Sequence, residues 1–257
     1  MRSLSTLEVF SSAVWPLQCT VLPVPWSAGT STTSSHISLG FWFGEFTVGG
    51  SSNISLLIDT GSGDVVLNPG IYVPGKASQT LNITFENSYG STESNGTGSS
   101  TVKGALYRDE MSFGSLTSQQ DFGSITRSGK SPIQGSGIVS FSGPIFGQFP
   151  TNSLSFFQTL CTQKKVSQCR FGLVLGADGM GAQVLGELDT SLYDGELNTA
   201  PILEPWVVSG DIVIDGKTIA TDHIIEMDSG TANPNPKLPV LGLYYSTPPL
   251  AHPEPLV

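Results

Sequence analysis

The 257 residues predict an all-β fold, on three observations. From Ile37 to Ile225, short runs of β-branched and aromatic residues recur, broken every ~8–12 residues by Gly, Ser, Asn or Asp. Helix signals are few. Only 12 % of residues are charged, about half the usual ~25 %, while Gly (30) and Pro (17) are frequent. That composition suits sheet and turns and argues against disorder driven by excess charge. One or two helices among a dozen strands fit a barrel or sandwich better than an alternating α/β plan.

The clearest strands are Phe41–Val48, Ile54–Ile58, Val102–Met111, Arg170–Leu175, Gln183–Leu188 and Gly210–Ile214, each rich in Val, Ile, Phe or Leu and bounded by turn formers. One short helix is expected over Asn152–Cys161, with Asn152 or Ser153 as N-cap and Leu154, Phe157 and Leu160 along one face. Both ends break the pattern. Residues 1–40 mix Pro, Ser, Thr and scattered apolar groups without a period, as a leader or irregular extension would. Residues 234–257 hold seven of the 17 prolines, which remove ladder donors and forbid helix interiors, so this tail reads as extended or disordered chain outside the barrel.

With 11 basic against 21 acidic side chains, the formal net charge is −10. No cluster of Lys and Arg reverses it locally, which excludes a phosphate-backbone partner and hence nucleic acid. No stretch approaches the ~18 uninterrupted apolar residues of a membrane span. His36, His223 and His252 are isolated and no Cys/His set has zinc spacing, so neither metal nor cofactor is expected. Three sequons, Asn53-Ile54-Ser55, Asn82-Ile83-Thr84 and Asn95-Gly96-Thr97, suit a secreted glycoprotein. Cys161 and Cys169 are close enough to bridge in a secreted chain, leaving Cys19 unpaired. The alternative is a pair of buried thiols in a reducing compartment.

Two segments resemble each other: Leu56-Leu57-Ile58-Asp59-Thr60-Gly61-Ser62 and Ile225-Glu226-Met227-Asp228-Ser229-Gly230-Thr231. Each runs an apolar strand into Asp, then a small hydroxyl residue, Gly, and another hydroxyl. The strand fixes a carboxylate at the edge of a core, and Gly lets the backbone turn so that amides and hydroxyls hold its oxygens. A single copy reads as a strand-end Asx-turn. Two copies brought face to face would share one proton and act as acid and base on one water, the logic of the aspartic protease dyad.

On these motifs the chain resembles pepsin-like aspartic endopeptidases of the fungal secreted type, over roughly Phe41 to Asn233. The likeness extends to Tyr107-Arg108-Asp109-Glu110, Gly137-Ile138-Val139-Ser140-Phe141, Val184–Asp189 and Trp206–Ile219. The resemblance implies two β-barrel-like lobes: an N-terminal lobe over 41–188 with the first aspartate, and the start of a C-terminal lobe over 189–233 with the second. It makes Asp59 and Asp228 the catalytic pair. Thr60 and Ser229 become cross-lobe hydroxyls, Gly61 and Gly230 amides facing the pair, and Ser62 and Thr231 outer partners of the carboxylates. Tyr89 is the candidate for the tyrosine of a flap hairpin, the alternative being an ordinary strand Tyr. The implied activity is hydrolysis of protein or peptide substrates at acidic pH by a monomer, secreted or vacuolar.

The chain also departs from the family. Val66 stands where a Trp is usual and Ser140 where Gly is usual, and both are expected to weaken packing under the first aspartate loop. No Lys/Arg-rich prosegment is evident, Arg2 being the sole basic residue before Lys76. The family pattern stops at Asn233, so the second lobe reads as incomplete. Two rival readings follow: a truncated, catalytically inactive fragment of a pepsin-like protein, or an unrelated secreted β-sandwich binding module.

Overall fold

The structure is a computed structural model that describes residues 41–91, 98–127, 133–143, 146–175, 181–187, 189–192, 197, 200–203, 206–214, 217–231 and 242–245. Its strands are β1 Phe43–Val48, β2 Ser51–Asp59, β3 Val66–Leu67, β4 Gln79–Ser91, β5 Gly98–Phe113, β6 Leu116–Arg127, β7 Gly137–Ser140, β8 Phe171–Leu175, β9 Gly181–Leu185, β10 Val207–Ile214, β11 Lys217–Asp228 and β12 Gly242–Tyr245. The helix α1, Phe156–Thr162, lies between β7 and β8.

The first seven strands run in the order β1-β2-β7-β3-β6-β5-β4, and β1 also pairs with β5 through Thr47 with Ser112 and Val48 with Met111. That second pairing closes six strands into a barrel and leaves β4 outside the ring, on β5. The turn between β1 and β2 uses Gly49 at φ 57, where a Cβ would overlap the buried carboxylate of Asp109. Asp109 in turn accepts from Tyr72 Oη at 2.9 Å and from the Gly75 N–H at 2.8 Å, tying the loop after β3 to the barrel wall.

Strand β2 shows why the apolar run ending at Asp59 is continuous. Leu56 and Ile58 face a core with Phe46, Met111, Phe122, Val139, Phe141 and Phe156, whereas Leu57 faces a second core with Val66, Phe85, Leu106, Ile138 and Phe149. A strand buried on both faces has no polar side to alternate with. The strand after it in the sheet, β7, is parallel to β2, with Leu57, Ile58 and Asp59 opposite Ile138, Val139 and Ser140.

The expected strands are present, with ends displaced by a few residues. β6 escaped the apolar pattern because part of its inward row is polar: Ser118, Gln120 and Phe122 alternate into the barrel. The helix begins later than expected. Ser155 is the N-cap, its Oγ accepting from the Gln158 N–H, while Asn152 sits at φ 50 in a turn that its N–H closes onto the Phe149 carbonyl at 3.0 Å. Leu154 thus precedes the helix, and Phe156, Phe157 and Leu160 fill the core.

Cys161 and Cys169 form a disulfide with Cα atoms 5.3 Å apart, which sets aside the pair of free thiols; Cys19 lies outside the described residues. The closed barrel likewise sets aside the β-sandwich. Within the proline-rich tail, the proline-free Gly242–Tyr245 forms β12, outside the barrel, and pairs antiparallel with β11, Gly242 opposite Asp228. Strands β10 and β11 pair from Val207 with Glu226 to Ile214 with Lys217, so β11 is paired on both sides at Ile225 and Glu226, just before Asp228.

Candidate active site

Asp59 is the last residue of β2 and Asp228 the last of β11, and the two ends meet. Both carboxyl groups are buried and lie within hydrogen-bonding reach of each other. The loop after each strand is built alike. The Gly61 N–H donates to Asp59 Oδ1 at 2.8 Å and Ser62 Oγ donates to Asp59 Oδ2. In the other loop the Gly230 N–H donates to Asp228 Oδ1 at 2.8 Å and Thr231 Oγ1 donates to Asp228 Oδ2 at 2.5 Å. The bonds that hold the first carboxylate are thus repeated, donor for donor, at the second.

Beneath the carboxylates the loops are cross-bonded. Thr60 Oγ1 donates to the Met227 carbonyl at 2.6 Å and accepts from the Ser229 N–H at 2.9 Å. Ser229 Oγ donates to the Ile58 carbonyl at 2.8 Å and accepts from the Thr60 N–H at 3.2 Å. A hydroxyl has one proton, and each of these is committed to the opposite strand's carbonyl, so the arrangement is fully satisfied and symmetric. The glycines allow the approach. A Cβ on Gly61 would sit 2.7 Å from Asp228 Cγ, and one on Gly230 would sit 2.7 Å from Asp59 Oδ2. Any side chain there would push the opposite carboxylate away.

Burial, and after it the negative charge of Asp228, pushes the Asp59 carboxyl well above the ordinary carboxylate range. The bonds from Ser62 and Gly61 pull the other way without cancelling it. A pair of this kind keeps one proton between its members well above the pH at which a lone carboxyl loses it.

A profile of the eukaryotic aspartyl protease family matches residues 41–235. The chain belongs to that family. It is also 29 % identical over 184 residues to secreted aspartyl protease 1 of Malassezia globosa, an alignment covering 69 % of this chain and 44 % of that protein. The chain therefore spans less than half the length of this relative. For an aspartyl protease, the meeting of Asp59 and Asp228 is the arrangement that the paired motifs anticipate.

The structure brings together Asp59, Thr60, Gly61, Ser62, Asp228, Ser229, Gly230 and Thr231. Tyr89 lies in β4 opposite Ser100, its hydroxyl 3.4 Å from Asn87 Nδ2. Burial, then the charges of Asp64 and Asp59, push that phenol upward. Residues 92–97, between β4 and β5, are outside the described set, and so is the sequon at Asn95. Asn53 and Asn82 are exposed, both at φ 54. Val66 is fully buried in the second core in the place of the family's Trp. Ser140 is fully buried too, and its Oγ has no partner among the described residues, so a polar atom stands where glycine would leave none. The loop is held nonetheless by the Phe141 N–H on the Asp59 carbonyl at 2.8 Å and the Ser142 N–H on the Ser62 carbonyl at 3.1 Å.

Sequence reasoning missed two supports. Trp206 donates from Nε1 to the Phe141 carbonyl at 2.9 Å and accepts at its own carbonyl from the Met227 N–H at 2.9 Å, joining the segment beside Asp59 to the strand carrying Asp228. Asp64, buried five residues after Asp59, accepts from Asn87 in β4 and from the backbone N–H groups of Gln148 and Phe149. An aspartate in a polar loop gives no signal of that role. Among the described residues no group of His, Cys, Asp and Glu could hold a metal ion, and no helix is long and apolar enough to cross a membrane.

Proposed function

We propose that this chain is an acid endopeptidase in which Asp59 and Asp228 activate a water molecule against a peptide bond. The observation that carries the reading is the cross-bonded pair: two buried carboxyls held in contact by matching loops, with Asp59 kept in its protonated form by burial and by its neighbour. The ionised member takes a proton from water as the oxygen attacks the scissile carbonyl carbon. The protonated member gives its proton to the carbonyl oxygen. Collapse of the resulting gem-diol breaks the C–N bond: the proton taken from water passes to the leaving amine, and one gem-diol hydroxyl returns its proton to the carboxylate that protonated the carbonyl oxygen. No covalent bond to the protein forms, and the pair returns to its single shared proton.

Both carboxylates come from one chain, which supports a monomer acting on protein or peptide substrates. Family membership and the secreted Malassezia relative support secretion. Exposed Asn53 and Asn82 would then carry glycans, read as one loss of mass for each of Asn53→Gln and Asn82→Gln in protein secreted by eukaryotic cells. The function is tested by cleavage of a denatured protein at acidic pH, with a hydroxyl-bearing peptide that mimics the tetrahedral intermediate as inhibitor. Asp59→Asn and Asp228→Asn are each expected to abolish cleavage. A folded wild-type chain that cleaves nothing is the inactive fragment of the rival reading. Cleavage unaffected by either substitution assigns the activity elsewhere.

A further inference from the structure

The sheet order leaves β4 as the outermost strand of the hairpin formed by β4 and β5, with Ser88 opposite Thr101. At Ser88 the outward backbone groups are taken by a side chain. Gln148 Oε1 accepts from the Ser88 N–H at 2.9 Å, and Gln148 Nε2 donates to the Ser88 carbonyl at 3.1 Å. The amide thus pairs with the strand edge as a neighbouring strand would. Gln148 is itself aimed from below: its N–H and that of Phe149 donate to Asp64 Oδ2 at 2.6 and 3.1 Å, and the same oxygen accepts from Asn87 Nδ2 at 3.0 Å. Three donors from two segments converge on one buried carboxylate in the loop that follows Asp59. One residue along the strand is Tyr89, whose hydroxyl lies 3.4 Å from the same Asn87 Nδ2 that donates to Asp64, five residues after Asp59.

We propose that Gln148, aimed by Asp64, is a positioning residue that clamps the edge of the β4–β5 hairpin at Ser88 and so fixes the hairpin's distance from the Asp59–Asp228 pair. The inference deepens the endopeptidase reading and rests on it, since the hairpin's position matters for binding peptide at that pair. Asp64 is buried and its loss would disturb the loop, so the exposed Gln148 is the residue to change. Loss of two hydrogen bonds in Gln148→Ala is expected to speed hydrogen exchange at the Ser88 amide about tenfold relative to wild type. KM for a cleaved peptide should rise severalfold while kcat stays within about twofold.

Gln148→Glu supplies a readout that a merely structural role would not move. Below about pH 4.3 the neutral carboxyl has a C=O and an O–H and reproduces both bonds; above it, two acceptor oxygens face the Ser88 carbonyl. Exchange and KM should therefore match wild type in acid and depart from it as the pH rises. Unchanged exchange at Ser88 in Gln148→Ala overturns the clamp. Faster exchange with unchanged KM overturns the positioning role. A wild-type chain without cleavage overturns the endopeptidase reading instead, and the clamp is then decided by exchange, with affinity for the hydroxyl-bearing peptide in place of KM.

Discussion

Replacing Thr60 by Val keeps the shape of a buried side chain and removes one hydroxyl. That hydroxyl donates to the Met227 carbonyl and accepts from the Ser229 N–H. Both partners are backbone groups enclosed where the two motif loops meet, and Thr60 and Ser229 are only 4 % and 3 % exposed, so water cannot replace it. An orphaned buried polar group costs about 1–3 kcal/mol, so two cost about 2–6 kcal/mol. That is a large share of the roughly 5–15 kcal/mol that holds a typical domain folded. Thr60→Ser keeps both hydrogen bonds and loses one methyl group, for about 1 kcal/mol. Urea unfolding of the three proteins, compared at a common slope, reads the difference directly. Thr60→Val no less stable than Thr60→Ser, to within about 0.5 kcal/mol, would refute the claim that the cross-bonded hydroxyls hold the two loops together.

Three further outcomes are expected. Because Asp59 keeps its proton in the fold at pH values where an unfolded carboxyl has lost it, the folded chain binds more protons than the unfolded one. Its contribution to stability is complete below about pH 3.9 and is lost as pH rises through the raised value. Urea midpoints across that range should fall less steeply for Asp59→Asn than for wild type; the slope that persists includes Asp64, which burial also raises. Gly230→Ala places a Cβ against the Asp59 carboxylate and should lower kcat by about a hundredfold in a chain that still shows wild-type circular dichroism. Replacing Cys161 and Cys169 together by Ser should cost about 2–3 kcal/mol, the chain-entropy value for a separation of 8 residues, and reductant should lower the wild-type melting temperature toward that of the variant.

The sheet was legible where burial demanded apolar residues and obscure where it did not. Leu56, Leu57 and Ile58 announce a strand because both faces of β2 are covered. β6 conceals itself because Ser118 and Gln120 point inward. The helix start was misplaced because Asn152, a good cap by type, is consumed by a turn, and Ser155 caps in its place. In the tail, the four residues of β12 lie between prolines, and composition averaged over the whole stretch hides a strand that length and backbone donors permit.

The duplicated motif is local information: an apolar strand, a carboxylate, a glycine and two hydroxyls in fixed order, and the bonds of Gly61 and Ser62 to Asp59 follow from spacings of two and three residues. Those spacings identify each unit and its family likeness without knowledge of any other part of the chain. The bonds between the units span 167 to 171 residues, and so does the contact that raises the Asp59 carboxyl. Only chain closure over that distance decides them. Asp64 and Gln148, separated by 84 residues, belong to the same category. Side-chain chemistry within one turn is written in the sequence order, whereas which buried group faces which is set by how the barrel closes and where β11 is laid against it.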